Sequence, residues 1–251
     1  MTAIPVLRGR RVAITRPDGG ELAARLAALG AEVVHVPLIE IAEPADGGAE
    51  LGGALARLVE FDWLVVTSAN GARRVGVVAA GHPDVRLAAV GPATASALGE
   101  LAGRSVDLVP AVARAEGLLA EFPSSPARVL LAQADRASAT LADGLVASGH
   151  DVEVVVAYRT FDRRPTPAEV AELCRVDAVL LASGSAAETY AAALGVQPSP
   201  VGGQTPIIVA VGPVTAEVAR ASGLVVDHIA PRPDPETLTT LITTALTATR
   251  F

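Results

Sequence analysis

The stretch VRLAAVGPATASAL at 85–98 returns as IIVAVGPVTAEVA at 207–219, and its reading decides the fold. In both copies an apolar run stops at Gly-Pro, a threonine follows two positions later, and an Ala-rich helical pattern begins. Proline fixes φ near the helical value and has no N–H to lose, so Gly91-Pro92 and Gly212-Pro213 read as strand ends feeding the first turns of helices. Each copy is then a strand, a tight turn and an exposed helix N-terminus. Unpaired N–H groups and a partial positive charge favour an anion there. Two such termini point to two halves that share one anionic ligand.

The repeat extends outward from this motif. FDWLVVTSANGARRV, from Phe61, matches VDAVLLASGSAAETY, from Val176. RRVAITRPDGGELAARLAALGAEVVHVPL, from Arg10, matches ARVLLAQADRASATLADGLVASGHDVEVVVAY, from Ala127, and GRSVDLVPAVARAEGLLAEF, from Gly103, matches SGLVVDHIAPRPDPETLTTLI, from Ser222. Modules A, B and C thus occur twice in the same order. Short β-rich runs alternate with Ala/Leu helical patterns, the signature of parallel α/β architecture. Strands are predicted at 11–15, 32–36, 62–67, 86–90, 106–109, 128–132, 152–157, 177–182, 207–211 and 225–229. After each A module comes an extended segment rich in Pro and charge, PLIEIAEP from Pro37 and VAYRTFDRRPTP from Val156. These read as crossings between domains. With the crossing, the first A module joins the second B and C in a domain of 1–36 plus 166–251. The second A joins the first B and C in an insert at 44–155, with linkers at 37–43 and 156–165. Periodicity alone also permits two sequential A-B-C domains.

Composition narrows the chemistry. The chain of 251 residues is 51% hydrophobic but only 3% aromatic, so its core is built from Ala, Val and Leu. Apolar runs are broken before the roughly 18 residues needed to span a bilayer, and the N-terminus lacks a signal-peptide layout. A soluble cytoplasmic protein, with no membrane partner, is expected. Cys174 is the only cysteine, which excludes an internal disulfide and a cysteine metal cluster. The net charge of −7 and the lack of aromatic-basic clusters argue against nucleic acid. All 20 basic residues are arginine. Schiff-base, pyridoxal-aldimine and P-loop lysine chemistry are therefore excluded. Arginine instead suits bidentate recognition of carboxylate or phosphate.

In open parallel sheets ligands bind outside the carboxyl ends of strands. The turns predicted there are rich in glycine and hydroxyl residues: Thr15-Arg16-Pro17, Thr67-Ser68-Ala69-Asn70, Gly91-Pro92-Ala93-Thr94, Gln133-Ala134-Asp135-Arg136, Ser183-Gly184-Ser185 and Gly212-Pro213-Val214-Thr215. They suit a ligand held by backbone N–H and hydroxyl donors, although each hydroxyl also suits a helix N-cap. There is no GxGxxG, GxxxxGK[ST], GxSxG or HExxH motif, and His35, His82, His150 and His228 lack metal-ligand spacing. No metal site is expected. Tyr158, one of two tyrosines, stands in the second crossing segment. Its phenol either packs between domains or donates a proton to a leaving group.

Taken with VAITRP, PLIEI, VVTSANG, AVGPAT, VVAYRT, LLASGS and AVGPVT in this order, the chain resembles the uroporphyrinogen-III synthase family over 11–242. The resemblance implies a HemD-like α/β fold: two parallel-sheet domains of similar topology, flavodoxin-like halves, joined by a two-stranded antiparallel β linker around an active-site cleft. It favours the crossed-over assembly. It also implies a cyclising hydro-lyase reaction without metal or organic cofactor. Hydroxymethylbilane, a linear tetrapyrrole, loses its hydroxyl as water, ring D inverts and the macrocycle closes. Hand-over from hydroxymethylbilane synthase and a monomeric enzyme are further expectations.

By motif, Tyr158 matches the family tyrosine that assists departure of the hydroxyl, and Thr215 the threonine after Gly-Pro that faces the cleft. Ser68, Gly91, Thr94, Ser183, Gly184, Ser185 and Gly212 fall in cleft-facing turns; Arg16 and Arg136 are carboxylate candidates. Asn70 stands where some relatives carry a basic residue, so charge at that position is not assumed, and Arg73 or Arg74 is a substitute. A non-catalytic two-domain protein that binds a small anion or a tetrapyrrole, or senses it, would show similar turns.

Overall fold

A computed structural model of the chain describes residues 5–194 and 205–248. The first elements are β1 (Arg11–Ile14), α1 (Gly20–Ala28), β2 (Glu32–His35), β3 (Ile39–Ala42) and α2 (Ala49–Ala56). There follow β4 (Trp63–Val66), α3 (Ala69–Ala80), β5 (Arg86–Ala89), α4 (Pro92–Ala102), α5 (Ala115–Glu121), β6 (Arg128–Ala134) and α6 (Thr140–Ala147). The chain continues through β7 (Asp151–Asp162), α7 (Pro167–Leu173), β8 (Ala178–Leu181), α8 (Gly184–Leu194), β9 (Ile207–Ala210), α9 (Pro213–Ala221), β10 (His228–Ile229) and α10 (Pro235–Ala248).

Two compact units result, one from the chain up to Glu40 and again from Phe161, the other from Ile41–Thr160. The first unit carries a five-stranded sheet in the order β10-β9-β8-β1-β2. All its pairings are parallel, with Val12 opposite Ala178 where β1 meets β8. Successive side chains of a strand point to opposite faces, and a sheet covered on both faces can be apolar throughout. Val12, Ile14, Leu180 and Val209 accordingly meet Leu22, Leu26, Leu238 and Ile242 from α1 and α10. Ala13, Val179, Leu181 and Ile208 turn the other way, toward Ala187 and Tyr190 of α8 and Ala219 of α9.

The second unit has the sheet order β3-β7-β6-β4-β5, and β6 pairs in parallel with both β4 and β7. Leu64, Val66, Leu130 and Ala132 face α3 and α4, where Ala72, Val75 and Leu98 are buried. Val65, Val129 and Leu131 face α5 and α6 through Leu118, Leu141 and Leu145. In module terms each sheet reads A-B-C across its strands. The first A module (β1, β2) pairs with the second B (β8), and the second A (β6, β7) with the first B (β4).

Three details differ from the strand pattern read in the sequence. Residues 106–109 form no full strand: Leu108 makes a single bridge to Ala88. The Asp107 carboxylate takes the Leu87 N–H at 2.7 Å, a bond the strand itself would otherwise make. In the first unit Asp227 does the same to Ile208 N–H at 2.7 Å, and β10 is only two residues long. The third detail is at the crossings, where Ile39–Ala42 is a strand beside β7 and β7 runs on to Asp162. Among the described residues no helix is long and apolar enough to cross a membrane, and no group of three or more His, Cys, Asp or Glu could hold a metal.

Candidate functional site

In the first unit β1 and β8 are neighbours whose onward connections diverge, to β2 on one side and to β9 on the other. Such a switch point leaves a crevice outside the carboxyl ends of the two strands. Thr15 follows β1 and is fully buried; its hydroxyl donates to the Leu180 carbonyl at 2.8 Å and accepts from Ala182 N–H at 3.2 Å. This stitches the two strand ends together and fixes where the next residue, Arg16, begins. His35 Nε2 lies 2.8 Å from the Arg16 carbonyl oxygen, so an N–H on that nitrogen anchors the backbone. The Arg16 guanidinium donates from Nη2 to the Pro233 carbonyl at 3.3 Å and forms no ion pair among the described residues. Burial holds its pKa below the ordinary guanidinium value. A desolvated cation without a counter-ion is costly to hold, and its position invites an anion.

The other first-unit residues have mixed roles. Ser183 caps α8 by accepting from Ala186 N–H at 3.1 Å. Gly184 is a packing glycine, since a Cβ there would stand 3.1 Å from Val218 Cγ2 of α9. Ser185 is half-buried in the first turn of α8. Gly212 precedes α9 with φ −179°, a conformation any residue adopts, and a Cβ there would meet nothing within 4 Å. Neither backbone nor packing demands glycine at this position. Thr215 is 7% exposed, and its hydroxyl has no hydrogen-bond partner among the described residues.

In the second unit the decisive pair is Ser68 and Tyr158. Val155, Ala157 and Tyr158 all join one buried cluster, although neighbours in a regular strand face opposite ways. The register accounts for this: Gln133 pairs with Val156 and Ala134 with Tyr158, so β7 carries one extra residue, Ala157, opposite β6. This β-bulge re-aims the tyrosine. Its hydroxyl comes to 2.9 Å from Ser68 Oγ. Ser68 also caps α3, accepting from Gly71 N–H at 3.1 Å. The turn behind Tyr158 is fixed as well, because Asp135 N–H donates to the Tyr158 carbonyl at 3.1 Å and Thr160 N–H to Asp135 Oδ1 at 3.0 Å.

Asn70 accepts from Arg73 Nη1 at 2.9 Å, whereas Arg74 is paired with Glu43. Of the two substitute cations, Arg73 is therefore the one tied to the Asn70 turn. Gly91 has a packing cause that Gly212 lacks: a Cβ would stand 3.1 Å from Ala113 Cβ. Thr94, at 6% exposure, matches Thr215 in burial and in having no hydroxyl partner among the described residues. Arg136 is exposed in the turn after β6. Of the expected site residues, Ser68 and Tyr158 are joined directly.

Gln133, which opens the turn Gln133-Ala134-Asp135-Arg136 named from the sequence, is 9% exposed, and its amide atoms are not among the buried polar atoms without a partner in the described residues.

Comparison with known proteins agrees with this architecture. The HEM4 family, described as uroporphyrinogen-III synthase HemD, matches residues 20–240. A uroporphyrinogen-III synthase of Synechococcus elongatus is 34% identical over 125 residues, covering 47% of this chain and 47% of that protein. A porphyrin biosynthesis protein HemD of Ruminiclostridium josui is 30% identical over 166 residues, covering 61% of this chain and 32% of that protein. The chain thus matches about half or less of the length of these curated relatives. Among solved structures, a uroporphyrinogen III synthase variant of Thermus thermophilus superposes with a TM-score of 0.59 at 20% identity, over 95% of this chain and 99% of that one. The uroporphyrinogen-III synthetase of Helicobacter pylori gives 0.62 at 16% identity, over 94% and 99%. At those identities the structures speak for the shared fold, and the family match spans most of the sequence. The chain belongs to the uroporphyrinogen-III synthase HemD family.

Proposed function

We infer that this protein is a uroporphyrinogen-III synthase, a cyclising hydro-lyase acting on hydroxymethylbilane. The observation that carries the assignment is the Ser68–Tyr158 hydroxyl pair, set on a bulge at the carboxyl end of a parallel sheet in a chain of this family. In the proposed reaction the terminal C–O bond of the bilane breaks and its hydroxyl leaves with a proton as water. The resulting azafulvene cation needs no protein nucleophile: ring D attacks it through its substituted carbon, and rearrangement with loss of a proton closes the inverted ring. Ser68, polarised by the Gly71 N–H, donates to Tyr158, which leaves the phenol proton directed at the departing hydroxyl. The main burden falls on holding the bilane in near-attack geometry, which is worth many orders of magnitude in effective concentration.

The carboxylates of the bilane are proposed to be held by Arg16, Arg136 and the Asn70–Arg73 pair, together with N–H and hydroxyl donors of the turns at Gly91, Thr94, Ser183, Gly184, Ser185, Gly212 and Thr215. Support comes from Arg16, which forms no ion pair among the described residues and whose pKa burial lowers, and from Thr94 and Thr215, largely buried residues at the starts of α4 and α9. An overall charge of −7 is no obstacle, because the local field at a site decides what it attracts. The proposal includes a cytoplasmic monomer that receives its substrate from hydroxymethylbilane synthase.

The test is to supply freshly made hydroxymethylbilane to the purified chain and separate the products. Isomer III is expected well above the spontaneous background. Formation of isomer I alone would overturn the assignment and leave a binding protein.

A further inference from the structure

We propose that Asp135 is a positioning residue for the reaction: its carboxylate carries the grip of β6 on β7 past the end of β6 and so holds Tyr158 at the aim that the bulge gives it. The proposal rests on the synthase assignment above, and within it on Tyr158 as the residue at the departing hydroxyl.

Three observations carry it. The first is that a side chain replaces a backbone group. Ala134 pairs with Tyr158, and the Asp135 N–H donates to the Tyr158 carbonyl at 3.1 Å. In a parallel ladder the next bond would run from the Thr160 N–H to the Asp135 carbonyl. The Thr160 N–H goes instead to Asp135 Oδ1, at 3.0 Å. Aspartate side chains stand in for backbone acceptors in this way. The β6 backbone is then free to turn away, with the Ala137 N–H donating to the Ala134 carbonyl at 3.1 Å, while β7 stays tied to it.

The second is where the tie falls. The register shift leaves a single pair, Ala134 with Tyr158, between the bulge and the end of β6. One pair at a strand end frays readily. Asp135 closes that end, gripping β7 at Tyr158 and again at Thr160. Between them Arg159 Nε donates to the Glu43 carbonyl at 3.0 Å, so three successive residues of β7 are anchored. A phenol that acts on one leaving hydroxyl tolerates little movement of its backbone.

The third is the contrast between the two copies. The module A repeat places Asp18 where Asp135 stands, and Asp18 Oδ1 accepts from the Gly20 N–H at 2.8 Å, a bond within its own turn. The copy that carries the tyrosine is the one that sends this aspartate across to the neighbouring strand.

The experiment compares Asp135→Ala and Asp135→Asn, each alone and combined with Tyr158→Phe, by steady-state formation of isomer III and by urea unfolding. Asparagine keeps an oxygen that accepts from the Thr160 N–H, so kcat should stay within about twofold of the unaltered protein. Alanine removes the acceptor and should lower kcat about fivefold with KM within about twofold, because the bond aims a group that acts on the leaving hydroxyl and holds no carboxylate. Asp135 is exposed, so the urea midpoint of both single variants should stay close to that of the unaltered protein. Added to Tyr158→Phe, Asp135→Ala should cost no further kcat, since a ring without its hydroxyl has nothing left to aim. Unchanged kcat in Asp135→Ala, an equal loss in Asp135→Asn, a loss that persists on top of Tyr158→Phe, or a sharply lowered midpoint would each overturn the proposal. So would a Tyr158→Phe protein of unaltered kcat, through which Asp135 could not act. If the unaltered protein yields only isomer I, the synthase assignment itself falls; if it yields isomer III while Asp135→Ala keeps its kcat, only the role of Asp135 falls.

Discussion

Tyr158 owes its aim to a β-bulge, and its chemistry to one neighbour. Were Ala157 paired in regular register with β6, the alternation of the strand would turn the phenol toward the opposite face of the sheet. With the bulge, Tyr158 and Ser68 share a 2.9 Å hydrogen bond, and Ser68 is itself bound to the α3 N-terminus. Two hydroxyls that act in one relay should lose their effect together. Tyr158→Phe is expected to lower kcat about tenfold, and Ser68→Ala by a similar or smaller factor. The double variant should be no slower than Tyr158→Phe alone. Ser68→Ala also removes a helix cap worth about 1 kcal/mol, so Ser68→Thr, which keeps cap and hydroxyl, is the control for stability. Losses that multiply in the double variant would show two independent contributions. A Tyr158→Phe protein that folds but makes no isomer III would make the phenol an essential acid.

Among the elements, those with a continuous apolar run or a helical pattern were legible from the sequence, and those set by a single side chain or a register shift were not. Strands such as β4 and β8 are apolar on both faces, and the Gly-Pro turns mark the starts of α4 and α9 plainly. By contrast, the shortening of the strand at 106–109 follows from the Asp107 carboxylate capturing one N–H, and the aim of Tyr158 follows from a bulge. Neither leaves a periodic trace. The site was legible in the same proportion: the turns stood out by composition, whereas the Ser68–Tyr158 bond and the desolvation of Arg16 required coordinates. Helix packing gives a test at this scale. Gly76 lies on the α3 face against α4, and a Cβ there would stand 2.6 Å from Leu101 Cβ. Gly→Ala in a free helix interior gains about 1 kcal/mol, but here the two helices must separate, at a cost of roughly 1–3 kcal/mol. Gly76→Ala is therefore expected to lower the urea midpoint. A higher midpoint would show that α3 and α4 have room to spare.

For the whole molecule, a duplicated set of modules has exchanged partners, so that one unit is continuous in sequence and the other is interrupted by it. The continuous unit, Ile41–Thr160, has its own five-stranded sheet and two buried clusters, one on each face. Its first and last strands, β3 and β7, are neighbours in that sheet, so the two ends of the insert leave from one edge. An insertion of this kind keeps chain ends together and lets each unit form its core from its own residues. The fragment Ile41–Thr160 is accordingly expected to fold alone and to unfold in one cooperative transition, with near-coincident midpoints by circular dichroism and Trp63 fluorescence. Trp63, 3% exposed against Phe122 at a ring distance of 5.0 Å, makes that fluorescence a report on the α5–α6 face of the sheet. The fragment retains Ser68 and Tyr158 but lacks Arg16 and Thr215, so it should form no isomer III above background. A fragment without a cooperative transition would mean that the insert depends on the interrupted unit for its stability. An active fragment would mean that the continuous unit suffices for the reaction, and would remove Arg16 and Thr215 from it.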